Sequence, residues 1–200
     1  MGPLVIAGVM VDESNLELLK KLKVKDSKQL TKLQREDLFE KIKAISEYLI
    51  LIVEPEEIDA ALNNPDLNLN WLEGLKIAEI INSLEPDEAI IDAPSNNIPA
   101  FKEFLKKHIE VKADLKLEHK ADEKYPVVSA ASILAKVIRD REIEKIKTEY
   151  GNCGSGYPSD PTTQEFLKEN HSKYDKIFRK TWATYKRVTN SKKQKSLTDF

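Results

Sequence analysis

The 200-residue chain contains one cysteine, Cys153, three histidines and six glycines, and only 7% of its residues are aromatic. A single cysteine excludes an internal disulfide and any zinc site built on cysteines; it fits a reducing compartment, so a cytoplasmic protein is expected. No apolar run approaches the roughly 20 residues that a membrane helix needs. The first residues show no basic region followed by an apolar core, so no secretory leader is expected. Net charge is -2, so there is no overall positive excess of the kind that advertises nucleic-acid binding. Charged residues make up 33% of the chain and hydrophobic ones 40%, the balance of a folded domain rather than a disordered segment. No internal repeat is visible.

The neutral total hides an asymmetry. Between His171 and Phe200 nine Lys or Arg residues face two Asp, a segment able to follow a phosphate backbone or to form a solvated helix face. Along the rest of the chain, strand and helix patterns alternate. Leu4–Val11, Tyr48–Val53, Ala89–Asp92 and Glu110–Leu117 read as strands. Leu16–Val24, Thr31–Ser46, Pro55–Leu62, Leu69–Leu84, Pro99–Lys107, Pro126–Tyr150, Asp160–Glu169 and Lys173–Val188 read as helices, with Thr31 an N-cap, and 189–200 as a polar tail. The interleaving predicts an α/β protein, a sheet layered with helices.

Two acids stand where α/β folds put their chemistry. Asp92 closes a short strand and precedes Ala93-Pro94-Ser95; outside a strand's carboxyl end it is either a site residue or the cap of its own turn. Asp122 follows His119-Lys120-Ala121, just before the long helix opened by Pro126. It is either a ligand or an acid favoured by the helix dipole. Val127, Ala130, Ala131, Leu134 and Ile138 recur at helical spacing as that helix's inner face, and small residues among them permit close approach to a sheet. His119 has no second His or Cys at ligand spacing, so a structural role is expected. Asp140 reads as a solvated acid paired with Arg or Lys, and Ser132 lacks a nucleophile elbow. Tyr157 lies within Gly151–Pro161, a loop with three glycines and two prolines; it can stack on a base or sugar, or pack its own loop. In Val24–Leu30, Lys25 and Lys28 either meet phosphate or lead into the next helix.

The segments GPLVIAGV, VKDSKQLT, IIDAPS, EHKADEKYPVVSAASILAKVIRDR and GSGYPSDPTT, in that order over nearly the whole chain, resemble type 2 ribonuclease H (ribonuclease HII), its archaeal branch in particular. The resemblance implies an RNase H-like mixed sheet of five strands flanked by helices, with a helical C-terminal portion. It implies an endonuclease that cuts the RNA strand of RNA–DNA hybrids and ribonucleotides embedded in duplex DNA, with Mg²⁺ or Mn²⁺ held by four acids. Two of those acids map onto Asp92 and Asp122, which are thereby implied to be catalytic and metal-binding. The tyrosine placed against the sugar at the RNA–DNA junction maps onto Tyr157, and Lys28 and Lys120 map onto backbone-contacting lysines. Oxygen ligands suit hard divalent ions, and a metal pair can activate water and stabilise the leaving oxygen of an in-line displacement.

The resemblance also implies a further, central strand ahead of Leu4, ending in Asp-Glu-x-Gly-Arg-Gly and supplying the other two acids; no such motif is present. Asp12-Glu13 follows the next strand and is expected at the opposite side of the sheet. The expectation is that Met1 is an internal methionine of a longer product and that the 200 residues alone do not cleave a hybrid; Mg²⁺-dependent cleavage by the purified chain would refute it. A non-catalytic nucleic-acid- or clamp-binding remnant is the alternative, and an RNase H-like resolvase a more remote one. Residues 1–158 are expected to form the RNase H-like domain and 159–189 the C-terminal helical portion. The tail, 190–200, has Gln194, Leu197 and Phe200 spaced three apart, as in a sliding-clamp-binding peptide whose apolar residues share one face of a 3₁₀ turn. A monomer is expected.

Overall fold

The computed structural model describes residues 1–22, 24 and 30–196. Among these the elements run β1 (Leu4–Met10), α1 (Glu13–Lys21), α2 (Lys32–Ala44), β2 (Glu47–Val53), α3 (Pro55–Leu62), α4 (Leu69–Leu84), β3 (Glu88–Asp92), α5 (Ile98–Lys106), β4 (Asp114–Glu118), α6 (Ala121–Lys124), α7 (Pro126–Tyr150), α8 (Pro161–Asn170) and α9 (Ala183–Ser196). β1 pairs with β2, and β3 with β4. β1 and β3, which the resemblance places on either side of a further strand, share no ladder among the described residues. The chain divides into two compact units. Met1–Leu4, Ile52–Asn68 and Arg139–Phe200 form one; Val5–Leu51 and Leu69–Ile138 form the other.

In the larger unit, α5 and α4 hold β3 in place. Phe101 and Leu105 are fully buried against Ala78, Ile81, Ala89 and Ile91. Each large side chain so buried contributes about 1.5–3 kcal/mol. Gly74 in α4 lets the helices approach closely, since a Cβ there would lie 3.0 Å from the Phe104 ring and 3.1 Å from the Phe101 ring, and the rings would have to give way. β3 and β4 run parallel, with Ile91 beside Leu117 and Asp92 beside Glu118. Thr31 caps α2 in a reciprocal box with Gln34, as its sequence predicts.

Several sequence expectations are displaced. α1 starts at Glu13 rather than Leu16, because the Asp12 carboxylate caps it, accepting from the Asn15 amide at 2.8 Å and from the Ser14 hydroxyl. The Asn15 hydrogen bond holds Asp12 below the usual carboxylate range. Residues 110–113 are not in a strand; the Glu110 amide donates to the Asn82 side chain, and β4 begins at Asp114. The inner face of α7 centres on Ala130, Ile133, Leu134 and Val137, all buried, with Val127 and Ile138 at its margins and Ala131 half-exposed.

The expected helix from Lys173 to Val188 is corrected most. Residues 173–182 form turns, and α9 starts at Ala183 and continues to Ser196, through seven of the eleven positions read as tail. The cause is Asp59 of α3, in the same unit. Its buried carboxylate accepts from the Lys180 amide (2.7 Å), the Thr181 amide (2.9 Å) and the Thr181 hydroxyl (2.6 Å). Those amides are thereby diverted from helical partners. Arg179, also buried, donates to the carbonyls of Gly2 and Pro3 and stacks over Trp182.

Candidate active site

Asp92 is exposed at the carboxyl end of β3. Its Oδ1 accepts from the amide of Ala121 at 3.2 Å. The carboxylate is thus tied to the segment bearing Asp122 rather than to its own turn. Two further bonds join the same pieces of chain: the Ala93 amide donates to the Glu118 carbonyl (2.9 Å), and His119 Nδ1 lies 3.2 Å from the Ala93 carbonyl. His119 thus helps to join these two segments. Lys120 adopts the left-handed conformation, φ 56°, which costs a non-glycine residue about 1 kcal/mol. That twist starts the one-turn helix α6, on which Asp122 stands half-buried. The sequence places Asp122 just before the long helix without this separate helical turn, which only the structure shows.

Glu118, beside Asp92 in the ladder, is an acid next to the candidate site that sequence reasoning did not single out. Lys124 donates to one of its oxygens and the Tyr125 hydroxyl to the other at 2.6 Å. These bonds, Lys124 first, hold its carboxyl below the usual range and in turn raise Lys124. The Lys116 ammonium lies 4.7 Å from the Tyr125 ring centre. The signal available in the sequence was the parallel alternation of AIID and LKLE, which puts the two acids side by side. Lys120 keeps 74% of its side chain exposed, 4.0 Å from Glu123.

As donors, Asp92 and Asp122 are hard oxygen ligands, the chemistry that Mg²⁺ and Mn²⁺ take. Among the described residues no group of three acids, histidines or cysteines is gathered closely enough to cage an ion. A pair of carboxylates fits instead an ion that keeps several waters and completes its shell with substrate phosphate.

Tyr157 belongs to the other unit, on a loop of unusual definition. Gly154 and Gly156 have φ of 68° and 77°. Asp160 caps α8 through the Thr162 amide (2.9 Å) and reaches back to the Ser155 amide (2.6 Å). Those bonds, Ser155's foremost, lower the Asp160 carboxyl to about 2. Thr163 accepts from the Gly156 amide and donates to the Cys153 carbonyl. A Cβ on Gly154 would lie 2.9 Å from the Thr163 amide nitrogen, so only glycine fits. Tyr157 keeps 44% of its surface exposed, and the guanidinium of Arg139 covers its ring at 3.7 Å from the centroid. Asp140 pairs with Arg139 at 3.2 Å but is only 24% exposed, more enclosed than a solvated helix acid. Lys28, Leu197 and Phe200 lie outside the described residues, and Gln194 falls in the last turns of α9. No described helix is long and apolar enough to cross a membrane.

The family model for ribonuclease HII matches residues 1–185. Ribonuclease HII of Pyrococcus furiosus is 49% identical over 201 residues, covering 98% of this chain and 88% of that protein. The crystal structure of the ribonuclease H2 from Pyrococcus horikoshii superposes with a TM-score of 0.86 at 44% identity, covering 96% of this chain and 92% of that one. A chain from the PCNA:RNase HII complex of Archaeoglobus fulgidus superposes with a TM-score of 0.84 at 41% identity, covering 95% and 89%.

Proposed function

The chain belongs to the ribonuclease HII family, divalent-metal-dependent endonucleases that cleave the RNA of RNA–DNA hybrids and ribonucleotides in DNA, and on that premise we propose that Asp92 and Asp122 are its catalytic carboxylates. The observation that carries this reading is the Asp92–Ala121 hydrogen bond, which joins acids 30 positions apart in the sequence into one corner. The two carboxylates would hold Mg²⁺ or Mn²⁺; when bound, the metal activates the attacking water and stabilises the leaving oxygen. The protein's part is positioning. The β3–β4 ladder sets Asp92, the left-handed turn at Lys120 sets Asp122, and the Glu118 carboxylate is paired with the Lys124 ammonium and accepts from the Tyr125 hydroxyl, so it adds less repulsion to the corner. Tyr157 packs against the sugar at the RNA–DNA junction, while Lys120 and Lys28 contact the phosphate backbone. Recognition of RNA rests on the 2′-hydroxyl, the group DNA lacks.

Mn²⁺ titration of the purified chain, followed by electron paramagnetic resonance, tests the acid corner. The unaltered chain is expected to bind the ion, with Asp92→Asn and Asp122→Asn each weakening it by about tenfold or more. Affinity indifferent to both substitutions would remove the metal role. The same reading places the protein in the cytoplasm as a monomer. It gives the chain a sliding clamp as partner through Gln194, Leu197 and Phe200, supported by the relative solved with PCNA. Deleting residues 194–200 is expected to abolish clamp binding in a pull-down and leave Mn²⁺ affinity unchanged.

A further inference from the structure

Arg139 has no role in the reading above, yet it is the best-anchored cation near the Tyr157 loop. It is 14% exposed, on α7 in the same unit as the loop. Nη2 donates to the Ser155 carbonyl at 2.7 Å, and Nη1 pairs with Asp140. With both ends of the guanidinium held, its central carbon lies over the Tyr157 ring, 3.7 Å from the centroid and close enough for a cation–π contact. Gly156 makes this possible. A Cβ there would sit 3.1 Å from Arg139 Nη2 and 2.6 Å from Ile143 Cδ1, so a side chain would have to displace the end of Ile143 and crowd the guanidinium, besides straining a left-handed φ of 77°.

A tyrosine with 44% of its surface exposed would ordinarily sample several side-chain rotamers, and each docking event would have to fix one. We propose that Arg139 is the positioning residue of Tyr157, a half-buried prop that fixes the ring's plane before nucleic acid arrives. The inference rests on Tyr157 being the sugar-contacting residue, and it adds what makes that ring selective. Lysine is a poor substitute, because an ammonium has no flat face to stack.

The test measures the affinity of the full chain for two duplexes of one sequence, one carrying a single ribonucleotide and one all DNA. Fluorescence anisotropy at fixed salt, with Ca²⁺ as the divalent ion, gives the ratio of the two dissociation constants. Tyr157→Ala is expected to lower the preference for the ribonucleotide duplex. Arg139→Met is expected to lower it by roughly three- to tenfold, Arg139→Lys by less, and the double variant Arg139→Met/Tyr157→Ala no further than Tyr157→Ala. An Arg139→Met protein that merely lost folded fraction would weaken both duplexes equally and leave the ratio unmoved; that result overturns the proposal. So do single effects that add in the double variant. If Arg139→Met does not fold by circular dichroism, Arg139→Lys is read alone by the same two criteria. A ratio unaffected by Tyr157→Ala removes the sugar-contact reading and the prop with it; a ratio that responds to Tyr157→Ala but to neither Arg139 variant removes the prop alone.

Discussion

The acid corner and the tyrosine loop solve opposite problems. Around an exposed Asp92 and a half-buried Asp122, one backbone bond to Asp92 and one strained residue, Lys120, set the geometry. Around Tyr157 it does the reverse: two left-handed glycines, Asp160, Thr163 and Arg139 over-determine a loop that carries one exposed ring. On the proposed reading the carboxylate pair would be held in place by the cation it binds, whereas an aromatic platform would have to be rigid before anything docks. The two regions differ in how many groups fix each, and that difference can be attacked directly.

The largest effect is expected from Asp59→Ala, in the unit that carries the loop. It leaves two amides and a hydroxyl unpaired in a buried place and should cost about 3 kcal/mol in urea unfolding. Next is Gly154→Ala, which forces a side chain into a left-handed residue against the Thr163 amide; about 2 kcal/mol is expected in the same measurement. If either substitution leaves the unfolding midpoint unchanged, the loop's unit is not the one built for rigidity.

Asp160→Asn sharpens the comparison through pH. The native carboxyl is depressed to about 2 from an ordinary value of 3.8, so its contribution is fully present above pH 3.8 and is lost as pH falls through about 2. The gap in melting temperature between the unaltered chain and the variant should therefore be constant from pH 7 to 5 and close between pH 4 and 2. A gap that stays open at pH 2 would show that the Ser155 and Thr162 bonds are not the cause. The smallest effect is expected at the other site. Lys124→Ala removes an exposed partner of Glu118 and should leave the melting temperature unchanged at physiological salt. A clear drop would mean that the acid corner is also structural.

Much of this was legible in the sequence because local rules govern it. The Thr31 capping box, proline at the start of α7, glycine just past its end and the turn chemistry of residues 151–161 all act over a few residues. Asp92 and Asp122 were legible as candidates because each ends or opens an element. What escaped was long-range. Asp59 reads as an ordinary helix acid, and nothing near residues 173–182 announces that it will take their amides. Arg139 reads as one more charge on a helix, since its partner is a ring eighteen residues away in a loop.

Taken alone, then, the sequence determined the order of strands and helices, the family, and which residue types were available for chemistry, because periodicity, caps and turns are written in neighbouring residues. Only the tertiary structure decided which of those residues meet: Asp92 with the Ala121 amide, Glu118 with Tyr125, Arg139 with Tyr157, Asp59 with Thr181. The physical reason is that hydrogen bonds and ring contacts act across a few ångströms of space, and chain separation carries no information about that distance until the cores have packed.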